Sequence, residues 1–129
     1  MCVAGARWVQ KQILEAHPDA ELSVLAIWFG MFPGDSRSRW PESLLTDARV
    51  RHYWDEERLT GRLYGERVTA QEPGHVEWDA WFLYDGEGVW GSGPPTPLVG
   101  WGRTIVSTRE ELRRELEALL EEPPTQSTR

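Results

Sequence analysis

The chain has 129 residues, and its 14 basic and 21 acidic side chains give a formal net charge of −7 at pH 7. This length fits one domain, the acidic balance argues against binding to a phosphate backbone, and the hydrophobic fraction of 40% argues against wholesale disorder. The single cysteine, Cys2, excludes an intramolecular disulfide and an all-cysteine metal site.

The sequence shows neither the pattern of a membrane span nor that of a secretory signal. No stretch approaches the roughly 18 apolar residues of a membrane span, and the first residues lack the basic and then apolar pattern of a secretory signal. We therefore expect a cytoplasmic protein without a membrane or nucleic-acid partner. A signal or anchor would be missed if the true amino terminus lies upstream.

The first half of the chain predicts a helix followed by two strands. An apolar stripe predicts an amphipathic helix ended by Pro18, and the stripe consists of Cys2, Ala6, Val9, Ile13 and Ala16. Residues 21–29 form a nearly continuous apolar run, which indicates a strand buried on both faces. Residues 49–54 alternate apolar and polar side chains, which is typical of a half-covered strand near a sheet edge.

The second half predicts a helix, a hairpin and a closing helix. Asp55 is placed to cap a helix that runs to about residue 67. Residues 76–84 predict a strand, and the Asp-Gly turn at 85–88 predicts a hairpin into a returning strand at 89–93. Residues 98–106 either continue that strand or form a further edge segment. Thr108 and Glu111 form a capping-box pattern for the last helix. We expect one domain over 1–122 and a polar tail over 123–129.

Three segments, taken in order, resemble the thioredoxin-like superfamily, in particular its peroxiredoxin and thiol-disulfide reductase branch. They are RVRHYWDEERLTGRLYG at 49–65, WDAWFLYDGEGVW at 78–90 and STREELRRELEALL at 107–120. The resemblance covers roughly residues 2 to 122. It implies an α/β fold in the form of a thioredoxin-like three-layer α/β/α sandwich around a mixed sheet.

The resemblance also implies a role for Cys2. In that family a C-x-x-C motif opens the helix that follows the central strand, and Cys2 matches the second cysteine of such a motif. The first cysteine and the strand that feeds the helix would then lie upstream, so we expect a fold that is incomplete at its amino end. A helix amino terminus favours the thiolate, but one cysteine cannot complete dithiol exchange. We therefore expect a possible thiol-disulfide or peroxide oxidoreductase that is impaired as given. Its substrate would be a protein thiol or disulfide, or a small thiol or peroxide, and no cofactor is expected.

Two further groups of residues are candidates for substrate binding. The family places a cis-proline just before its penultimate strand, whereas Pro73 lies about five residues before Trp78, so His75 or Val76 is expected at that position. Met31, Phe32 and Pro33 follow the first strand, where ligands meet open α/β sheets, and we expect them to form a substrate-facing lip.

Other readings of the same residues stay open. Cys2 can be an inert thiol at a helix end, and the protein can be a redox-inactive thioredoxin-like module that binds a protein or small ligand. Glu77 and Asp79 share one face of a predicted strand, where we expect them to face solvent. The tryptophans on predicted strands favour core packing over a ligand pocket. An exposed strand edge would also allow a homodimer.

Overall fold

The structure is a computed structural model that describes residues 2–30, 44–69, 74–86, 88–91 and 93–121. The chain contains both helices and strands, in agreement with the α/β class. It divides into two compact units, the first spanning Cys2–Trp78 and the second beginning at Asp79. The predicted polar tail at 123–129 lies outside the described residues. No helix within the described ranges is long and apolar enough to cross a membrane.

The first helix, α1, spans Cys2–Val9 and continues as a π-helical turn over Gln10–Leu14. A π turn contains an extra residue, which shifts the phase of the apolar stripe. Ile13 and its neighbour Leu14 are therefore both buried, although only Ile13 lies on the predicted stripe. Ala16 was expected on that stripe and is exposed, because it lies beyond the last helical turn.

The strands β1, Val24–Trp28, and β2, Val50–Trp54, pair in parallel with Val24 opposite Val50 and Trp28 opposite Trp54. The predicted alternation of β2 is confirmed by a burial pattern that changes at every residue. β1 is shorter than predicted and is not buried on both faces, since the side chain of Leu25 is 47% exposed. Within the described residues β1 has a partner on one edge only, so the environment of a central strand is not complete.

One apolar cluster joins α1 to this parallel pair. Apolar residues from α1, its π turn, both strands and the segment before β2 contact one another because the strands present alternate side chains to one face. The cluster contains the buried residues Ala6, Leu14, Leu45 and Val50, with Val9, Leu22, Val24, Ala26, Trp28 and Leu44 packed against them.

Arg49 links the end of the first helix to the start of β2 by hydrogen bonds. Its guanidinium donates to the carbonyl oxygens of Leu14, His17 and Ala20 at 2.8 to 3.0 Å. It also forms a bidentate pair with Asp47, with both N···O distances at 2.8 Å. The pair raises the pKa of Arg49, and every donor direction of the planar fork is used. The carbonyl oxygen of Leu14 at the end of the π turn, and those of His17 and Ala20 in the segment that follows, thereby receive hydrogen-bond donors.

Acid is expected to weaken this attachment. Hydrogen bonds from the side chain and backbone of Arg49 lower the pKa of Asp47 to about 2. A carboxyl group whose folded pKa lies below its unfolded value stabilises the fold above the unfolded pKa, and this contribution disappears as the pH falls through the folded pKa. We therefore expect the urea midpoint to fall between about pH 4 and pH 2. The Asp47→Asn variant should lose less stability over that interval; an equal loss in both proteins would contradict the assignment.

The second helix, α2, spans Leu59–Leu63 and continues as a π-helical turn over Tyr64–Val68. The predicted role of Asp55 is confirmed in part: its carboxylate accepts the N–H groups of Leu59 at 3.0 Å and Thr60 at 2.7 Å, but the N-cap residue is Arg58, so the helix begins later than predicted. Arg58, just before the helix, has φ +60° and donates from Nε to the carbonyl of Gly30 at 2.6 Å.

The second unit contains an antiparallel pair and the closing helix. β3, Ala80–Tyr84, pairs with β4, Leu98–Arg103, and α3 spans Arg109–Leu120. The turn after β3 is confirmed, since the N–H of Gly88 donates to the carbonyl of Asp85 at 3.1 Å. The predicted return strand at 89–93 is wrong: its described residues form no strand, and the N–H of Gly91 donates to the carbonyl of Gly93 instead. Glycine and the following prolines disfavour a ladder there.

The closing helix packs through Leu112 and Leu116, which lie four residues apart on one helix face and are both buried. The expected capping box does not form. The hydroxyl of Thr108 accepts the indole N–H of Trp81 at 2.8 Å and donates to the carbonyl of Thr104 at 2.8 Å. The hydroxyl oxygen of Thr108 is therefore engaged by Trp81 and Thr104 and does not accept a helix N–H group, as a capping box would require.

Candidate functional site

Cys2, the predicted reactive residue, is the first residue of α1. The amino end of a helix carries N–H groups without intrahelical partners and the positive end of the helix dipole. The opposite end of the same helical segment is held by Arg49. The backbone of Cys2 therefore belongs to a helix that is fixed to the parallel sheet at its far end.

The predicted lip of Met31, Phe32 and Pro33 lies outside the described residues. The chain can be followed from the end of β1 to Phe29 and Gly30. Gly30 is held there by its carbonyl, which accepts the hydrogen bond from Arg58. The structure thus fixes the segment that leads into the lip.

His75 and Val76, the other predicted substrate-binding residues, pack against α2 and its π turn. A Cβ atom at Gly61 would lie 2.6 Å from Cγ1 of Val76, and one at Gly65 would overlap the carbonyl oxygen of His75. The N–H of Glu77 donates to the carbonyl of Gly61 at 2.9 Å. The two glycines, four residues apart on one helix face, therefore permit close approach of the 75–77 backbone.

Glu77 is the buried polar residue of this contact, with 4% of its surface exposed. Its Oε2 accepts the hydroxyl of Thr69 at 2.8 Å and lies 3.2 Å from Nε2 of His75. The expectation that Glu77 faces solvent is wrong. The chain at 75–78 forms no strand, so the predicted alternation does not apply, and the carboxylate turns toward the end of the π turn.

Asp79, the second carboxylate of that expectation, also lies outside the predicted strand face. It has φ +54°, precedes the first residue of β3 and is half-buried. Burial raises the pKa of Asp79, and a hydrogen bond from the backbone of Ile105 partly opposes that rise. Asp79, whose backbone lies in the left-handed region, is the residue at which the second unit begins.

The chemistry of the Thr69, His75 and Glu77 group is that of a structural network. The carboxylate is satisfied by a hydroxyl at the end of the π turn and lies beside an imidazole on the packed segment. Among the described residues there is no group of three or more His, Cys, Asp or Glu side chains that could hold a metal ion. The network therefore fixes the position of residues 75–77 on α2.

His52 is held by both of its ring nitrogens in the parallel pair. The indole N–H of Trp28 points at Nδ1 at 3.0 Å, and Nε2 lies 3.0 Å from the carbonyl oxygen of Leu45. Nδ1 thus faces a donor and Nε2 faces an acceptor, so the ring is held in one orientation between Trp28 and Leu45. Trp28 accordingly serves the core, as expected for the strand tryptophans.

The second unit presents an aromatic face on its antiparallel pair. The rings of Phe82 and Trp101, opposite each other in the ladder, stack with centroids 5.9 Å apart. The guanidinium carbon of Arg103 lies 5.2 Å from the Trp101 centroid, and Val99 is exposed on the same strand. We did not predict this stack from the sequence. The alternation of Val99, Trp101 and Arg103 in β4 is the signal that could have indicated it.

Comparison with protein-family models, curated proteins and solved structures finds no match for this chain.

Proposed function

We propose that the chain is a thioredoxin-like protein in which Cys2 reacts with a protein disulfide, a small disulfide or a peroxide. The observation that carries the proposal is the position of Cys2 as the first residue of α1, the helix that packs on the parallel pair. The antiparallel pair followed by α3 agrees with the closing elements that the resemblance implies. The three-layer sandwich with a mixed sheet belongs to this proposal, as does a cytoplasmic location.

The proposed reaction is one half of thiol exchange. The Cys2 thiolate attacks one sulfur of a disulfide, a new S–S bond forms, and the second sulfur leaves as a thiolate. With a peroxide, the thiolate attacks one oxygen, an S–O bond forms as the O–O bond breaks, and the sulfenic acid is left while hydroxide or an alkoxide departs and takes a proton from water. An external thiol must then restore Cys2, because the chain has one cysteine.

Residues 75–77 would provide the substrate-facing backbone in this proposal. The packing of His75 and Val76 on Gly65 and Gly61 supports a fixed position for that segment. The N–H of Glu77 is bonded to the carbonyl of Gly61, and the carbonyl oxygen of His75 packs against Gly65, so neither of these groups would contact a substrate. The expected substrate-facing lip of Met31, Phe32 and Pro33, which lies outside the described residues, also belongs to this proposal.

Alkylation of Cys2 tests the proposal. A thiol activated by a helix amino terminus should react with iodoacetamide at pH 7 roughly tenfold faster than the same thiol in the urea-unfolded chain. The unfolded chain is the matched control because it keeps the local sequence and removes the helix. Equal or slower reaction of the folded chain would refute the thiol chemistry.

A redox-inactive binding module is the second candidate, and the aromatic face of β3 and β4 favours it. Exposed Trp101 and Val99 and the cation over the indole offer apolar and polar contacts to a protein or a small ligand. This function needs no reactive thiol. Slow alkylation of Cys2 would therefore leave this candidate in place of the first.

A further inference from the structure

The hydrogen bonds between β1 and β2 show which backbone groups face the other edge of β1. The N–H of Val24 donates to the carbonyl of Arg49 at 3.1 Å, and the carbonyl of Trp28 accepts the N–H of Asp55 at 2.7 Å. Backbone groups in a parallel ladder alternate between the two edges of a strand. Val24, Ala26 and Trp28 therefore bond toward β2, whereas the N–H and C=O groups of Leu25 and Ile27 point to the opposite edge.

No described strand pairs with that edge of β1. Edge strands are usually protected by charged side chains, proline or a bulge. β1 reads Val-Leu-Ala-Ile-Trp, without a charge, proline or glycine, and its register with β2 is regular. The side chain of Leu25, on the strand's outer face, is 47% exposed. Within the described residues, β1 therefore has no charge, proline or bulge that would oppose pairing with another strand.

We propose that this edge pairs with the same edge of a second copy of the chain, antiparallel and centred on Ala26. Centring on Ala26 places Leu25 opposite Ile27 of the second copy, and Ile27 opposite Leu25 of the second copy. Each of these residues offers both an outward N–H and an outward C=O, so each pair exchanges two hydrogen bonds. The edge is thus complementary to itself in hydrogen bonding, as a two-fold interface requires.

The residue at the centre of the proposed pairing also fits. Two Ala26 residues would form a non-hydrogen-bonded pair, in which Cα atoms approach to about 4.5 Å. A small side chain suits that separation. Outside the strand the chain carries a net charge of −7, which opposes indiscriminate association, whereas β1 itself contributes no charge to the contact. The proposed interface is therefore confined to the uncharged backbone edge.

Sedimentation equilibrium of the full chain and two lysine variants tests the proposal. The unmodified chain should form a dimer, and Leu25→Lys should raise the dimer dissociation constant about tenfold or more, because it places a charge beside the paired edge. Leu59→Lys is the matched control, since Leu59 is 59% exposed on α2, and it should leave the dimer unchanged. Ile27→Lys repeats the test at the same edge if Leu25→Lys fails to fold by circular dichroism.

Hydrogen exchange locates the interface. The amides of Leu25 and Ile27 should become protected as the concentration of the chain rises, while those of Val24 and Ala26, bonded to β2, should not change. A chain that stays monomeric, or a dimer that survives lysine at position 25 or 27 without those amide protections, overturns the proposal. The result is independent of the thiol of Cys2, so the proposed dimer and the proposed thiol chemistry can each fail without affecting the other.

Discussion

Replacing Gly65 with alanine is expected to lower the free energy of unfolding by about 3 kcal/mol, because the added methyl group overlaps backbone rather than a movable side chain. The new Cβ would overlap the carbonyl oxygen of His75 and lie 3.1 Å from its carbonyl carbon. Alanine is the better helix former by about 1 kcal/mol, which is too little to offset the overlap. Urea unfolding followed by tryptophan fluorescence measures the change.

The control for Gly65→Ala is Gly86→Ala. A Cβ at Gly86 would meet nothing within 4 Å, so this variant should stay within about 0.5 kcal/mol of the parent chain. A Gly65→Ala variant as stable as Gly86→Ala would show that α2 does not pack on residues 75–77. The proposed position of His75 and Val76 would then have no support.

Replacing Arg49 with methionine is expected to cost roughly 3 kcal/mol of unfolding free energy. Methionine keeps much of the apolar stem but removes the donors to Leu14, His17, Ala20 and Asp47. Both charged side chains are partly exposed, so water can replace some of the lost bonds, and the expected cost stays well below the sum of the individual contacts. Urea unfolding again provides the measurement.

Two further variants separate the geometry of Arg49 from its charge. Arg49→Lys keeps the charge without the planar fork, and it should recover only a minor part of the loss. Arg51→Met removes an exposed guanidinium two residues away on β2, and it should change stability by less than about 0.5 kcal/mol. Equal losses at positions 49 and 51 would contradict the role of Arg49 in holding the helix end.

Local sequence signals predicted those features that depend on neighbouring residues. The alternation in β2 follows from periodicity, and the hydrogen bonds that Asp55 accepts at the start of α2 follow from a side chain that reaches nearby backbone N–H groups. Each of these signals lies within a few residues of the feature that it predicts. These local features are therefore unchanged by the tertiary contacts of the folded chain.

Features that depend on distant partners were missed or misplaced. β3 takes β4 rather than the nearer segment as its partner, and Thr108 bonds to Trp81 rather than to its own helix. Glu77 is buried because its carboxylate accepts the hydroxyl of Thr69 and its N–H donates to the carbonyl of Gly61. The spacing of Gly61 and Gly65 was a usable signal for close packing, but nothing in the sequence identified the segment that packs there.

The most direct test of the proposed function is the rate at which Cys2 reacts with iodoacetamide as a function of pH. Because the amino end of a helix favours the thiolate, the folded chain should react faster than the urea-unfolded chain at neutral pH, and its rate should level off at a lower pH. The account predicts this difference between the folded and unfolded chain. A folded chain whose rate still rises through about pH 8.5, as that of an ordinary thiol does, would contradict it.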